Sequence, residues 1–229
     1  MSIQRILVWD LPTRVFHWAL VVLLVALIVS GKVGGGLIDW HGKLGLAAVG
    51  LLGFRLAWGL LGSTYARFAT FFPTPARLRA YLRGEWKEPG HNPLGALSVF
   101  ALLALLALQI ATGLAGNDDI AFRGPLFELA GKALSDRLTG FHKLSINLLF
   151  ILVALHIAAI LFYTHVRKND LIKPMITGDK AHPHARPASG GGLAALIVAL
   201  TFAAAAVYGA SGAWLPPPPA SPPASTPSW

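Results

Sequence analysis

The chain contains no cysteine. That excludes disulfides, thiolate metal sites, iron–sulfur clusters and covalent c-type haem attachment. Charge is also scarce: 13% of the 229 residues are Asp, Glu, Lys or Arg, against about 25% in an ordinary soluble domain. A chain that is 55% hydrophobic, with a mean hydropathy of +0.60, cannot cover itself with a water-compatible surface. Disorder over most of the length is excluded as well, because disorder needs low hydrophobicity and high charge. A soluble enzyme does not fit. An integral membrane protein does, with its apolar residues in blocks of about 20.

Five such blocks are present, at about residues 15–31, 42–61, 94–114, 141–163 and 193–214. Each must be helical, since lipid offers no partner to an open strand edge. The expected fold class is therefore all-α and transmembrane: a four-helix bundle plus a fifth C-terminal transmembrane helix. The first block is not read as a signal peptide. Its apolar run is long, it has no clear small-residue cleavage site, and it contains a histidine.

The net charge of +9 would suggest nucleic acid in a soluble protein, but here its distribution orients the chain. Arg5 and Arg14 precede the first block. Arg67, Arg77, Arg79, Arg83 and Lys87 lie between the second and third, and Arg167, Lys168, Lys173, Lys180 and Arg186 follow the fourth. The alternate segments hold Lys32, Arg123, Lys132 and Arg137, so the count is twelve against four. The positive-inside rule then puts the N-terminus in the cytoplasm and, after five spans, the C-terminus in the periplasm of a multi-pass protein of the bacterial inner membrane. Lipid is a partner by this reading, and nucleic acid is not.

Composition divides the chain into a membrane domain over 1–178, a linker over 179–192, the extra span over 193–214 and a Pro-rich tail over 215–229. His182 to Gly192 (HPHARPASGGG) reads as flexible, and the tail (PPPPASPPASTPSW) as polyproline-like without a core. The fifth block is rich in Ala and Gly and has no ionisable residue. It is read as an appendage to the four-helix unit, suited either to docking a partner helix or to anchoring in lipid.

Four of the eight histidines, His17, His41, His142 and His156, fall in or at the ends of spans. Ionisable groups inside a membrane are costly and are functional hypotheses by default. His142 and His156 are 14 residues apart, nearly four turns, so they share a helix face about 21 Å apart along the axis. His17 opens a span that starts inside and His41 one that starts outside. Each histidine of the fourth span therefore has one partner at its own depth: His17 with His156, and His41 with His142. Two histidines facing each other across a bundle can hold one haem iron axially, and without cysteine only non-covalent b-type haem is possible.

Supporting residues are weaker signals. Gly45, Gly50 and Gly53 would admit a haem edge. Arg55 lies 14 residues after His41 and suits a haem propionate, or snorkels to the inner headgroups. Lys43 and Lys143 suit the outer propionates, or anchor the interface. Trp9, Trp18, Trp40 and Trp58 are expected in an interfacial belt. His165 falls on the face opposite His156, where a quinone or proton role is open. A solvated role is expected for His91, and exposure for His182 and His184.

The ordered words VWDLPTRVFHW, DWHGKLG, NPLGALS and GFHKLSINLLFILVALHI resemble the bacterial cytochrome b561 group, and most closely the b-type cytochrome subunits associated with nickel–iron hydrogenases and related dehydrogenases. The resemblance spans roughly residues 5 to 178; the fifth span and the tail lie outside it. It implies two haem b groups on the four histidines. It also implies electron transfer across the membrane between a periplasmic redox partner (a cytochrome c, hydrogenase or dehydrogenase) and the quinone pool, in either direction.

Two rival readings remain open. In one, the chain is a stand-alone oxidoreductase taking electrons from a small periplasmic donor such as superoxide, with Lys43, Lys143 and Arg137 forming a cationic pocket. In the other it is a haem-bearing membrane anchor of a larger complex. An electron-transfer subunit is favoured over an independent enzyme.

Overall fold

In the computed structural model, residues 4–183 and 185–216 are described. In chain order the elements are β1 (Gln4–Leu7), α1 (Leu11–Val33), α2 (Ile38–Leu61), α3 (Phe68–Phe71), α4 (Pro75–Leu82), α5 (Pro93–Leu114), α6 (Phe127–Leu161), α7 (Ile172–Thr177), β2 (Asp179–His182) and α8 (Leu193–Ala210). Among the described residues, five helices are long and apolar enough to cross a membrane: α1, α2, α5, α6 with the π-turn that follows it, and α8. The chain is a helical, multi-pass membrane protein.

Local chemistry sets where the spans begin. Asp10 caps α1 by accepting from the Thr13 N–H at 2.8 Å, and Pro12 pre-shapes the first turn, so the helix starts ahead of the apolar block. Asn92 caps α5 in the same way, accepting from the Gly95 N–H at 2.7 Å, with Pro93 at the first helical position. α6 begins at Phe127, well before the apolar run that starts near residue 141. Gly131, at φ +69°, breaks its first turn, and a Lys132–Asp136 pair at 2.6 Å supports the polar turns beyond. The polar stretch is helical because charged residues one turn apart pair along it, which an apolar window does not register.

α8 is not an appendage. A Cβ on Gly53 of α2 would lie 3.3 Å from Ala206 and 3.4 Å from the backbone of Ala203, and one on Gly50 would lie 3.1 Å from Val207. Phe16, Phe54, Ala57, Trp58, Ala66, Ala199 and Ala203 form one buried cluster, so α8 completes a core shared with α1 and α2. The small-residue face, read as suited to docking a partner helix or to anchoring in lipid, and two of the three glycines assigned to a haem edge are used for packing within the chain. Close backbone approach is the main source of helix association in lipid.

The end of the bundle that carries most of the Arg and Lys, called here the basic end, is closed by a strap. β1 and β2 pair antiparallel, with Arg5 opposite Ala181. Beyond His182 the chain stays pinned: the Tyr65 hydroxyl donates to Arg186 O at 2.6 Å, the Ala188 N–H to Leu7 O at 2.7 Å, and the Thr64 N–H to Ser189 O at 2.8 Å. Glycine- and proline-rich composition suggested a flexible linker here, but the backbone finds tertiary hydrogen-bond partners that composition cannot show. His182 is also half-buried rather than exposed, with Nε2 donating to Lys87 O at 2.8 Å. At the same end the Tyr81 and Tyr163 hydroxyls hydrogen-bond, tying α4 to the π-turn after α6. His184 and the tail beyond Pro216 lie outside the described residues.

Candidate functional site

At the far end of the bundle, α1, α2, α5 and α6 enclose a mainly apolar cavity of about 500 Å³, lined by His41, His142 and Gly45 among others. That volume is ordinary for a cofactor pocket. The His41 and His142 rings face each other across it, with centroids 6.0 Å apart and planes crossed at 88°. A metal–imidazole bond of about 2 Å on each side, plus the ring radii, gives a separation of about this size.

Both rings are held by the same device. His41 Nδ1 donates to Leu27 O of α1 at 2.9 Å, and His142 Nδ1 donates to Gln109 O of α5 at 3.0 Å. A carbonyl only accepts, so each Nδ1 carries the proton and each Nε2 keeps a free lone pair for a metal. Three residues after each carbonyl stands a hydroxyl, Ser30 or Thr112, 3.3 Å from the same Nδ1. Each hydroxyl donates back into its own helix, Ser30 to Ala26 O and Thr112 to Leu108 O, both at 2.7 Å. A glycine follows each hydroxyl. A Cβ on Gly31 would lie 2.9 Å from His41 Cε1, and one on Gly113 would lie 3.1 Å from His142 Cε1. The Ser-Gly and Thr-Gly pairs on two different helices therefore build two equivalent seats for an imidazole. The repeat Ser30-Gly31 and Thr112-Gly113 was readable in the sequence, but only someone who knew which carbonyls faced the histidines would have looked for it.

The loop after α5 contributes Asn117, Asp118 and Phe122 to the cavity lining. Asp118 accepts from the N–H groups of Ile120, Ala121 and Phe122 at 2.8–2.9 Å, and the Ile120 bond foremost holds its carboxyl below the usual carboxylate range. This turn sets the Phe122 ring over Gly42, next to His41. Lys143 lines the cavity, whereas Lys43, two residues after His41 and so on another helix face, lies exposed over the Trp40 ring at 4.8 Å. Arg137 is exposed on the polar start of α6.

The basic end holds the other pair. His17 on α1 and His156 on α6 lie within electrostatic reach of each other. His156 Nδ1 is 3.4 Å from Ser98 Oγ, while His17 Nδ1 is sealed from solvent without a partner. Arg55 is 3% exposed, so it is not snorkelling. Its guanidinium lies over the Phe68 ring at 4.5 Å and donates to Ala66 O at 3.2 Å. Among the described residues no carboxylate lies within 4 Å of it. A buried guanidinium in a span, beside an unpartnered histidine nitrogen, suits an anionic group such as a haem carboxylate.

Other assignments change. Trp18 and Trp40 are exposed, as a belt requires, but Trp9 and Trp58 are buried. Trp58 Nε1 donates to the Asp10 carboxylate at 3.1 Å, and Trp9 packs edge-on against His91. His91 is half-buried rather than solvated: its ring sits between Trp9 and Phe71, and desolvation, with Arg55 next in effect, pushes it down to about 3. His165 is exposed in the π-turn.

Comparison with known proteins matches residues 8–178 to the family described as prokaryotic cytochrome b561. A protein of Azotobacter vinelandii named "Probable Ni/Fe-hydrogenase B-type cytochrome subunit" is 27% identical over 221 residues, covering 79% of this chain and 90% of that protein. Its counterpart in Escherichia coli K12, named "Probable Ni/Fe-hydrogenase 1 B-type cytochrome subunit", is 24% identical over 215 residues, covering 76% of this chain and 90% of its own. No solved structure matches the chain. With three-quarters of its length matched and two levels of span histidines in place, this chain belongs to the prokaryotic cytochrome b561 family and is a b-type cytochrome of haem b.

Proposed function

We propose that the chain carries electrons across the bacterial inner membrane, between a periplasmic redox partner and quinone, on two haem b groups. His41 and His142 would hold one iron at the periplasmic end, and His17 and His156 the other at the basic, cytoplasmic end. The observation that carries this reading is the far-end pair, with two imidazoles facing across a cavity and both Nδ1 atoms tied to backbone carbonyls. Haem b, when bound, supplies the one-electron couple of its iron.

The chain's own residues supply the rest. The Leu27 and Gln109 carbonyls fix the tautomers and raise the basicity of the free Nε2 atoms. Gly31 and Gly113 leave room for the rings, Phe122 adds to the cavity lining, and Lys143 and Arg55 offer positive charge to carboxylates. Two histidines available to each iron would leave no open position for oxygen chemistry.

The relatives' names point to a nickel–iron hydrogenase as the partner. A small-donor oxidoreductase gains little support, because Lys43 and Arg137 point away from the cavity and Asp118 lines it beside Lys143. A pure anchoring role for α8 is likewise unsupported, since its small-residue face is spent on α2.

The test is a haem count and a potentiometric titration of the purified chain, with His41→Ala and His17→Ala. Two haems per chain are expected in the parent, and one different spectral component lost in each variant. A parent with a single haem, or a His41→Ala protein with both components unchanged, overturns the reading.

A further inference from the structure

His91 is one of the four histidines that the two ligand pairs leave over. It directly precedes the Asn92 cap of α5, so its backbone is fixed. Its ring lies edge-on to Trp9 at 4.7 Å and tilted on Phe71 at 4.5 Å. The strap closes over the same loop, with Lys180 Nζ donating to Pro89 O at 3.3 Å and His182 to Lys87 O at 2.8 Å. His91 Nδ1 is sealed from solvent and has no hydrogen-bond partner.

The charged and titratable groups around it are Arg55, His156, His17 and Lys180. Asp10, the acid that acts on Arg55, has its carboxylate already taken by the Thr13 N–H at 2.8 Å and Trp58 Nε1 at 3.1 Å. The groups that act on His91 itself are thus all bases. Leaving a buried polar nitrogen unmatched is costly. A donor set of this kind suits an anion with two acceptor oxygens, and the histidine pair beside it calls for a cofactor that carries carboxylates.

We propose that His91 is a haem-binding residue: its Nδ1–H, together with the Arg55 guanidinium, receives a carboxylate of the haem at the basic end. The proposal rests on the two-haem reading. A neutral imidazole suits the task, because it donates without adding a second buried charge beside Arg55, and Trp9 and Phe71 hold the ring in one orientation. The donated hydrogen bond offsets carboxylate charge near the iron and so favours the reduced state.

The experiment is a potentiometric titration of both haems in the full-length chain, in the parent, His91→Gln and His91→Phe. His91→Phe is expected to lower the midpoint of the basic-end haem by a tenfold change in its reduction equilibrium, about 59 mV for one electron. The far-end haem stays fixed, and His91→Gln, which keeps a donor, recovers most of the shift. Retention of both haems with neither midpoint moved overturns the proposal, as does a fall in His91→Gln as large as in His91→Phe. If His91→Phe fails to assemble, resonance Raman spectra of the parent and His91→Gln decide: a shifted haem-propionate bending band is expected, and identical bands overturn the proposal. If the parent lacks a haem that His17→Ala removes, the two-haem reading falls and this assignment with it. A haem lost in His17→Ala but indifferent to His91 overturns this assignment alone.

Discussion

The two ends of the bundle use the same residue type in opposite ways. At the far end the histidines are preorganised: carbonyls set both tautomers, glycines accept the rings, and a cavity stands between them. At the basic end the polar atoms are buried but unfinished: His17 Nδ1, His91 Nδ1 and Arg67 Nε have no partner, and Arg55 has no carboxylate within 4 Å among the described residues. One level is complete in protein terms. The other is a set of donors whose partners the chain does not supply. A cofactor bound at each level would contribute more to folding at the basic end, where it would satisfy buried groups, than at the far end, where it would fill a space already shaped for it.

The strongest test of this contrast removes ligands. His142→Ala is expected to abolish the far-end haem and leave the fold intact. His156→Ala is expected to abolish the basic-end haem and also lower the thermal midpoint. Difference spectra and thermal unfolding check both. Equal stability loss at the two levels would break the comparison.

A Cβ on Gly31 or Gly113 must push an imidazole aside. Gly31→Val and Gly113→Val should reduce far-end haem content at least tenfold, while Gly140→Ala, where a Cβ meets nothing within 4 Å, should leave it unchanged. Haem stoichiometry per chain reads this directly.

Overpacking the α2–α8 contact with Gly53→Leu should destabilise the chain by about 1–3 kcal/mol without moving either haem band, because the contact is structural.

The smallest effect is expected from Ser30→Ala and Thr112→Val. Each removes a 3.3 Å contact to Nδ1 but leaves the main carbonyl bond. Haem affinity should fall less than tenfold, below the usual range for losing an outer-shell partner.

Much of this was legible in the chain. Hydropathy located all five spans, and helical spacing put His142 and His156 on one face, because lipid and a 3.6-residue period leave few alternatives. The residues misread share one property: their roles depend on neighbours far away in sequence. Gly50 and Gly53 looked like haem clearance until α8 lay against them. His91 looked solvated because its own loop is polar, yet Trp9, Phe71 and the strap enclose it. The Ser30-Gly31 and Thr112-Gly113 seats are two ordinary dipeptides until α2 and α6 bring a histidine to each.

The sequence alone determined the membrane class, the span count, the exclusion of cysteine-attached haem and the shared helix face of His142 and His156. Those follow from composition and from a fixed rise per residue, which are local quantities. Only the tertiary structure decided which carbonyl orients which ring, that α8 belongs to the core, and that the basic end gathers buried donors without acids. Those depend on which helix faces meet, and the hydropathy of a span does not say which of its sides faces lipid and which faces a neighbour.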